Sequence, residues 1–162
     1  MRNILCVPLL VLTSCVSVNM TSNKSDGYNK KLSRVYIYYF AAKGVDEYLT
    51  KYSNGLTSQF STLGIQSKSE IRNPLSLDTE EDVATRVNEY KPSHLMLYKI
   101  TRITYSNGFA GTVDFEISII DSATNKVIWK SVMTPSVQMY LRDAVEMSLS
   151  KTIDKLKSDG II

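Results

Sequence analysis

Residues 112–133 constrain the fold more than any other stretch. From Thr112 to Ile120 apolar and polar residues alternate. Val113, Phe115, Ile117 and Ile119 fall on one side, Asp114, Glu116 and Ser118 on the other. A period of two marks a β-strand buried on one face only. Asp121-Ser122-Ala123-Thr124-Asn125 follows, a run of residues whose short polar side chains bond their own backbone in turns. Val127–Met133 is then a second strand, with Val127 and Trp129 assigned to one face. A hairpin with one apolar side needs another layer packed on that side. Pairing Ile117 with Trp129 sets Glu116 opposite Lys130 on the outer face. An apolar pair inside and an opposite-charge pair outside both favour that register.

The preceding chain supplies candidates for the covering layer. Arg34–Phe40 is β-branched and aromatic on both faces, the pattern of an interior strand. Val45, Tyr48, Leu49, Tyr52, Leu56, Phe60 and Leu63 recur at spacings of three and four, a helical stripe that Gly64 ends. Asn54-Gly55 in its middle lowers helix propensity. Ile65–Ile71 is a polar edge strand. Asp78 with Glu81 three residues on resembles a capping box, and Val83, Ala84, Val87 and Tyr90 form the stripe of a short helix closed by Lys91-Pro92. His94–Tyr105 opens with an apolar run and is the third strand. Val137, Leu141, Val145, Leu149, Ile153 and Leu156 mark a long final helix. The expected fold is α+β, a two-layer sandwich in the order β-α-β-α-β-β-β-α. Its mixed sheet ends in an antiparallel meander, with the helices on one face and right-handed crossovers around the first two.

The amino-terminal region carries an address. Met1-Arg2-Asn3 precedes an apolar run, Ile4–Leu12, broken only by Pro8. That run is too short for a membrane span of roughly 20 residues and reads as a secretory signal. Leu12-Thr13-Ser14-Cys15 resembles the lipobox of bacterial lipoproteins. The resemblance implies cleavage before Cys15, diacylglycerylation of its thiol and acylation of the new amino terminus. Two or three acyl chains anchor durably where one does not. Residues 1–14 are then the signal peptide, 15–31 the lipidated cysteine with a flexible Ser/Asn/Lys-rich linker, and 32–162 one globular domain. As a coil that linker spans about 20 Å. Cys6, the other cysteine, leaves with the signal. Val16 stands where an aspartate favours inner-membrane retention in enteric lipoproteins. The resemblance therefore implies the outer membrane, with the domain facing the periplasm.

Charge and motifs narrow the function. Without Arg2, 18 basic and 16 acidic side chains remain, too balanced for a nucleic-acid partner. His94 is the only histidine, so neither a metal centre nor a Ser-His triad has its partners, and a structural or solvated histidine is expected. No metal or cofactor is expected. Asp114 and Glu116 share a strand face and are the one carboxylate pair able to frame a hydrolytic site. Alternation on a solvated face accounts for them more simply. No nucleophile elbow, phosphate loop or dinucleotide fingerprint is present, and an enzyme is not expected. Ten tyrosines stand against four phenylalanines. Tyr36 and Tyr38 share one face of the first strand. With the helices on the Val35/Ile37 side, Tyr36, Tyr38 and Tyr98 face outward as a candidate contact surface.

The succession of lipobox, linker, strand-helix-strand-helix and meander, ending in Ile119-Ile120-Asp121-Ser122-Ala123-Thr124-Asn125-Lys126-Val127-Ile128-Trp129-Lys130, resembles small envelope lipoproteins. These share the domain of the TolB amino terminus, the curli secretion lipoprotein and the penicillin-binding-protein activators. The resemblance implies a non-enzymatic, membrane-tethered binding or assembly module for an envelope protein. Two alternatives stand beside it: an auxiliary lipoprotein of an ABC-type lipid transport system, and a small hydrolase using Asp114 and Glu116. An apolar groove lined by Tyr36 and Tyr98 would favour the first alternative, and a cleft converging on both carboxylates the second.

Overall fold

The computed structural model describes residues 17–106, 108–136 and 141–162; the signal, Cys15 and Val137 lie outside them. The elements are β1 (Val18–Lys24), β2 (Arg34–Phe40), α1 (Asp46–Thr62), β3 (Gln66–Arg72), α2 (Glu80–Tyr90), β4 (His94–Ser106), β5 (Phe109–Asp121), β6 (Lys126–Pro135) and α3 (Leu141–Ser158). They form a mixed α+β fold around one six-stranded sheet, ordered β1-β6-β5-β4-β2-β3. From β2 onward the element order is the one expected. β2 is interior, parallel to both β3 and β4, and β3 is an edge.

The added strand is the largest departure. Residues 18–24 are not linker; they pair antiparallel with β6 from Val18↔Pro135 to Lys24↔Trp129. Their polar composition hides this, because only Val18 and Met20 turn toward the core. What holds the strand is backbone: the open edge of β6 needs hydrogen-bond partners and β1 supplies them. The Ser131 hydroxyl adds a bond to the Thr21 carbonyl at 2.6 Å. Residues 25–33 also pack down. The Leu32 N–H donates to the Ile161 carbonyl, and Lys31 Nζ to the carbonyls of Gly160 and Ile162.

The core lies between one sheet face and the pair α1 and α3. Val35, Ile37 and Tyr39 of β2, Met96 and Tyr98 of β4, and Phe115, Ile117 and Ile119 of β5 meet the buried stripes of both helices there. Gly55 has its reason here: a Cβ on it would stand 2.4 Å from Leu149 Cδ1, so the low-propensity residue lets α1 and α3 approach. The helix α2 departs from the expected single layer and lies on the opposite face, over Tyr36, Tyr38, Leu95 and Leu97. The cause is topological. β2 to β3 moves one way across the sheet and β3 to β4 moves back past β2, so two right-handed crossovers place their helices on opposite faces. The N-cap of α2 is Thr79, boxed with Asp82, one residue beyond the expected Asp78 and Glu81.

The β5–β6 register is Ile119↔Trp129, two residues from the expected Ile117↔Trp129. A shift of two keeps every side chain on its face. Glu116 and Lys130 thus still meet, diagonally, at 3.0 Å. A bulge at Ile128 separates two residues expected to share a face: Trp129 is 1% exposed and Val127 51%.

Candidate functional site

The three tyrosines expected at a contact surface are all buried: Tyr36 at 0%, Tyr38 at 3% and Tyr98 at 1% exposure. Nor do they share a face. Tyr98 pairs in register with Tyr39 and stacks on it at 4.6 Å between ring centroids, inside the core beneath α1. Its hydroxyl lies 3.0 Å from that of Tyr52, which lies 2.7 Å from the Thr152 hydroxyl. The tyrosines therefore carry a polar network through the interior. Cys15 lies outside the described residues.

Tyr36 and Tyr38 lie beneath α2. The Tyr36 hydroxyl donates to Glu70, whose carboxylate also receives both arms of Arg86, at 2.6 and 3.1 Å. Arg86 reaches Asp78 as well, at 2.8 Å. Burial and the bond to Glu70 push the Tyr36 hydroxyl well above its ordinary value. The Arg86 bonds, reinforced by the one from Tyr36, hold the Glu70 carboxyl below its own. This bidentate pair is the main polar attachment of α2 to the sheet. Tyr38 differs. No described group meets hydrogen-bonding geometry with its hydroxyl, although the Arg72 guanidinium stands close enough to oppose the upward shift that burial imposes. Beside it a cavity of about 180 Å³ lies between α2 and the sheet, lined by Tyr38, Phe40, Val83, Val87, Leu95 and Leu97 together with Arg72 and Glu80.

A second cluster joins the segment after β1 to the turn between β5 and β6. His94 is buried, as a structural histidine should be; its Nε2 lies 2.5 Å from the Tyr28 hydroxyl and its Nδ1 3.0 Å from Ser93 Oγ. The Tyr28 hydroxyl donates to Asp121 at 3.1 Å and Lys30 Nζ donates to the same oxygen at 3.2 Å. The other Asp121 oxygen accepts the backbone N–H groups of Ala123 and Thr124. Ser93 Oγ also accepts from the Arg34 N–H and donates to the Arg34 carbonyl, which ties it to the backbone of β2. Sequence reasoning passed over Tyr28 and Lys30 because they sit in a stretch with no periodicity.

This cluster makes stability depend on pH with one sign. Burial, chiefly, lowers the His94 pKa from 6.5, against the pull of Asp121. The unfolded chain then binds the proton first, so the contribution is complete above about pH 6.5 and declines as pH falls below it. Burial raises the Asp121 carboxyl, but Lys30, the Thr124 N–H and Tyr28 outweigh it and hold the pKa below 3.8. That contribution is present above 3.8 and lost on further acidification. Urea midpoints should therefore fall in two stages on acidification; Asp121→Asn should shrink the lower one, to which Glu70 and Asp159 also contribute, and deepen the upper one by removing the pull that holds the His94 pKa up. A midpoint constant between about pH 7 and pH 4 contradicts the His94 assignment.

Asp114 and Glu116 do share a face, as expected, but do not converge. Asp114 takes Arg102 at 2.7 Å and the Thr134 hydroxyl at 2.8 Å, while Glu116 takes Lys130. Neither lines the cavity beneath α2 or the one beside Asp121. Among the described residues no group of three or more His, Cys, Asp or Glu is placed to hold a metal ion, and no helix is long and apolar enough to cross a membrane.

No protein-family model matches the sequence, and no curated protein matches it. Among solved structures the chain is similar to the PelC dodecamer from Paraburkholderia phytofirmans. The identity is 10% and the TM-score 0.53, over 86% of this chain and 97% of that one. A single-substitution variant of that dodecamer matches at 12% identity and TM-score 0.52, over the same 86% and 97%. At such identities the likeness is one of architecture: this chain has the α+β fold of a PelC subunit over most of its length.

Proposed function

We propose that this chain is a membrane-tethered, non-enzymatic assembly module of a bacterial envelope, working by contact with other protein subunits. One observation carries the reading: the side chains most able to do chemistry are occupied in holding the fold. Glu70 is taken by Arg86 and Tyr36, Asp121 by Lys30 and Tyr28, Asp114 by Arg102, and Glu116 by Lys130. What stays open is surface. α2 covers only the β2–β4 part of its sheet face, and beyond it one ladder row runs Lys99, Glu116, Val132, Thr21. Val132 is among the few large apolar side chains exposed, so this row, rather than the buried tyrosines, is the contact face. The PelC likeness supports the reading, since that fold is found there as a dodecamer, and self-association is the first partner to test. The alternatives lose their supporting features: Tyr36 and Tyr98 lie on opposite faces and line no common groove, and Asp114 and Glu116 frame no cleft.

The test is made in intact cells with a photo-crosslinking residue in place of Val132. Adducts to a second copy or to another envelope protein are expected. Crosslinks no more frequent than from an exposed position of α1, such as Lys51, would overturn the contact face. For the tether, Cys15→Ser should move the protein from the membrane to the soluble fraction; continued sedimentation with membranes would refute it.

A further inference from the structure

The cavity beneath α2 is built for more than packing. α2 has no buried residue, in contrast to α1 and α3. Val83 and Val87 stay half-exposed because they face about 180 Å³ of open space instead of closing onto Leu95 and Leu97. A dry apolar cavity of roughly 150 Å³ is enough to bind benzene in another protein, so this volume takes one aromatic ring or a short branched chain.

The polar groups at the cavity are incomplete in a way that specifies the rest of a ligand. No described group meets hydrogen-bonding geometry with the buried Tyr38 hydroxyl, and the Arg72 guanidinium stands beside it. The Arg72 guanidinium donates to the Asp78 carbonyl at 3.0 Å, but among the described residues no carboxylate lies within ion-pairing distance of it. Glu70 and Asp78 are both committed to Arg86. Glu80, the one acid in the lining, is exposed in the first turn of α2. A guanidinium without a carboxylate partner, next to a hydroxyl it does not reach in good geometry and beside an apolar pocket, matches an anion with an apolar tail. The position agrees. Phe40 and Arg72 end the parallel strands β2 and β3, where the connections leave for opposite faces; open parallel sheets bind ligands at such a point.

We infer that the cavity between α2 and the sheet binds a small amphiphilic carboxylate, its ring or branched chain against Leu95, Leu97, Val83 and Val87 and its carboxylate on Arg72 and the Tyr38 hydroxyl. The site is separate from the contact face at Val132 and does not rest on it.

The test uses the soluble Cys15→Ser chain and two probes, 3-phenylpropionate and its uncharged alcohol, followed by amide chemical shifts. The acid should bind saturably, with a dissociation constant on the order of millimolar or tighter, as expected of a fragment. Its shifts should centre on β2, α2 and β4. Arg72→Gln should weaken the acid about tenfold and leave the alcohol unchanged, while Arg72→Lys restores most of the loss. Val83→Phe, which fills the chamber from a half-exposed helix position, should abolish both. No saturable binding to the unsubstituted site, or binding insensitive to Val83→Phe, overturns the proposal. So does equal weakening of acid and alcohol by Arg72→Gln in a protein of unchanged circular dichroism.

Discussion

Trp129→Ala should lower the unfolding free energy by about 3–5 kcal/mol, a large share of the total for a domain of this size. The indole is the largest fully buried side chain, and its position makes it more than volume. It stands in β6 at Ile119 of β5 on one side and Lys24 of β1 on the other. Its Nε1–H donates to Asp159 at 2.7 Å, just past the end of α3. Asp159 also accepts from Ser22 and pairs with Lys155. One side chain thus fastens the hairpin, the edge strand and the last helix together. Urea denaturation should show the midpoint falling with little change in slope, because the exposed surface of the unfolded chain is nearly the same. Trp129→Phe should retain much of the packing and lose the bond to Asp159, so it falls between. A loss below about 1 kcal/mol for the alanine variant would place the indole at the edge of the core.

Tyr52→Ala is expected to cost a similar amount, about 3–5 kcal/mol, by the cavity it leaves. The sharper measurement is the phenylalanine series, which separates hydroxyl from ring. Tyr52→Phe strands the Tyr98 hydroxyl and leaves Thr152 only its weak contacts with the Met20 and Met133 sulfurs, and should cost about 1–3 kcal/mol. Tyr39→Phe should be neutral or stabilising by up to about 1 kcal/mol. The Tyr39 hydroxyl is fully buried, and Ser53 stands near it without hydrogen-bonding geometry. Two identical substitutions in rings packed edge to face, 6.4 Å apart by centroid, should therefore have opposite signs. Equal effects would show that the rings alone carry the stability.

The two tyrosines on α1 and the pair on β2 show how far the sequence reaches. Tyr48 and Tyr52 were legible as core residues because helical spacing puts them in the stripe with Leu49 and Leu56. Tyr36 and Tyr38 were legible as sharing a face, but their burial was not, because α2 covers them and its side of the sheet follows from strand order. Alternation along β4 puts Tyr98 on one face with Met96 and Ile100, but which face of β2 that meets depends on Tyr98 standing beside Tyr39 rather than Tyr38. One residue of register between parallel strands reverses that assignment. β1 was illegible for a different reason. An edge strand held by backbone hydrogen bonds needs no apolar pattern, so Val18–Lys24 reads as linker until β6 is beside it.

By itself the sequence determined the α+β class, the order of elements from β2 to α3, the interior place of β2 and the shared outer face of Glu116 and Lys130. All of these are local or periodic: a stripe at three and four, an alternation at two. Only the tertiary structure decided that residues 18–24 close the sheet, that α2 crosses to the far face, that Tyr28 and Lys30 converge on Asp121, and that the tyrosine face is interior while Val132 is outside. Those depend on which strands lie side by side. Strand order and register are set by the summed burial of the whole sheet rather than by any segment's own pattern.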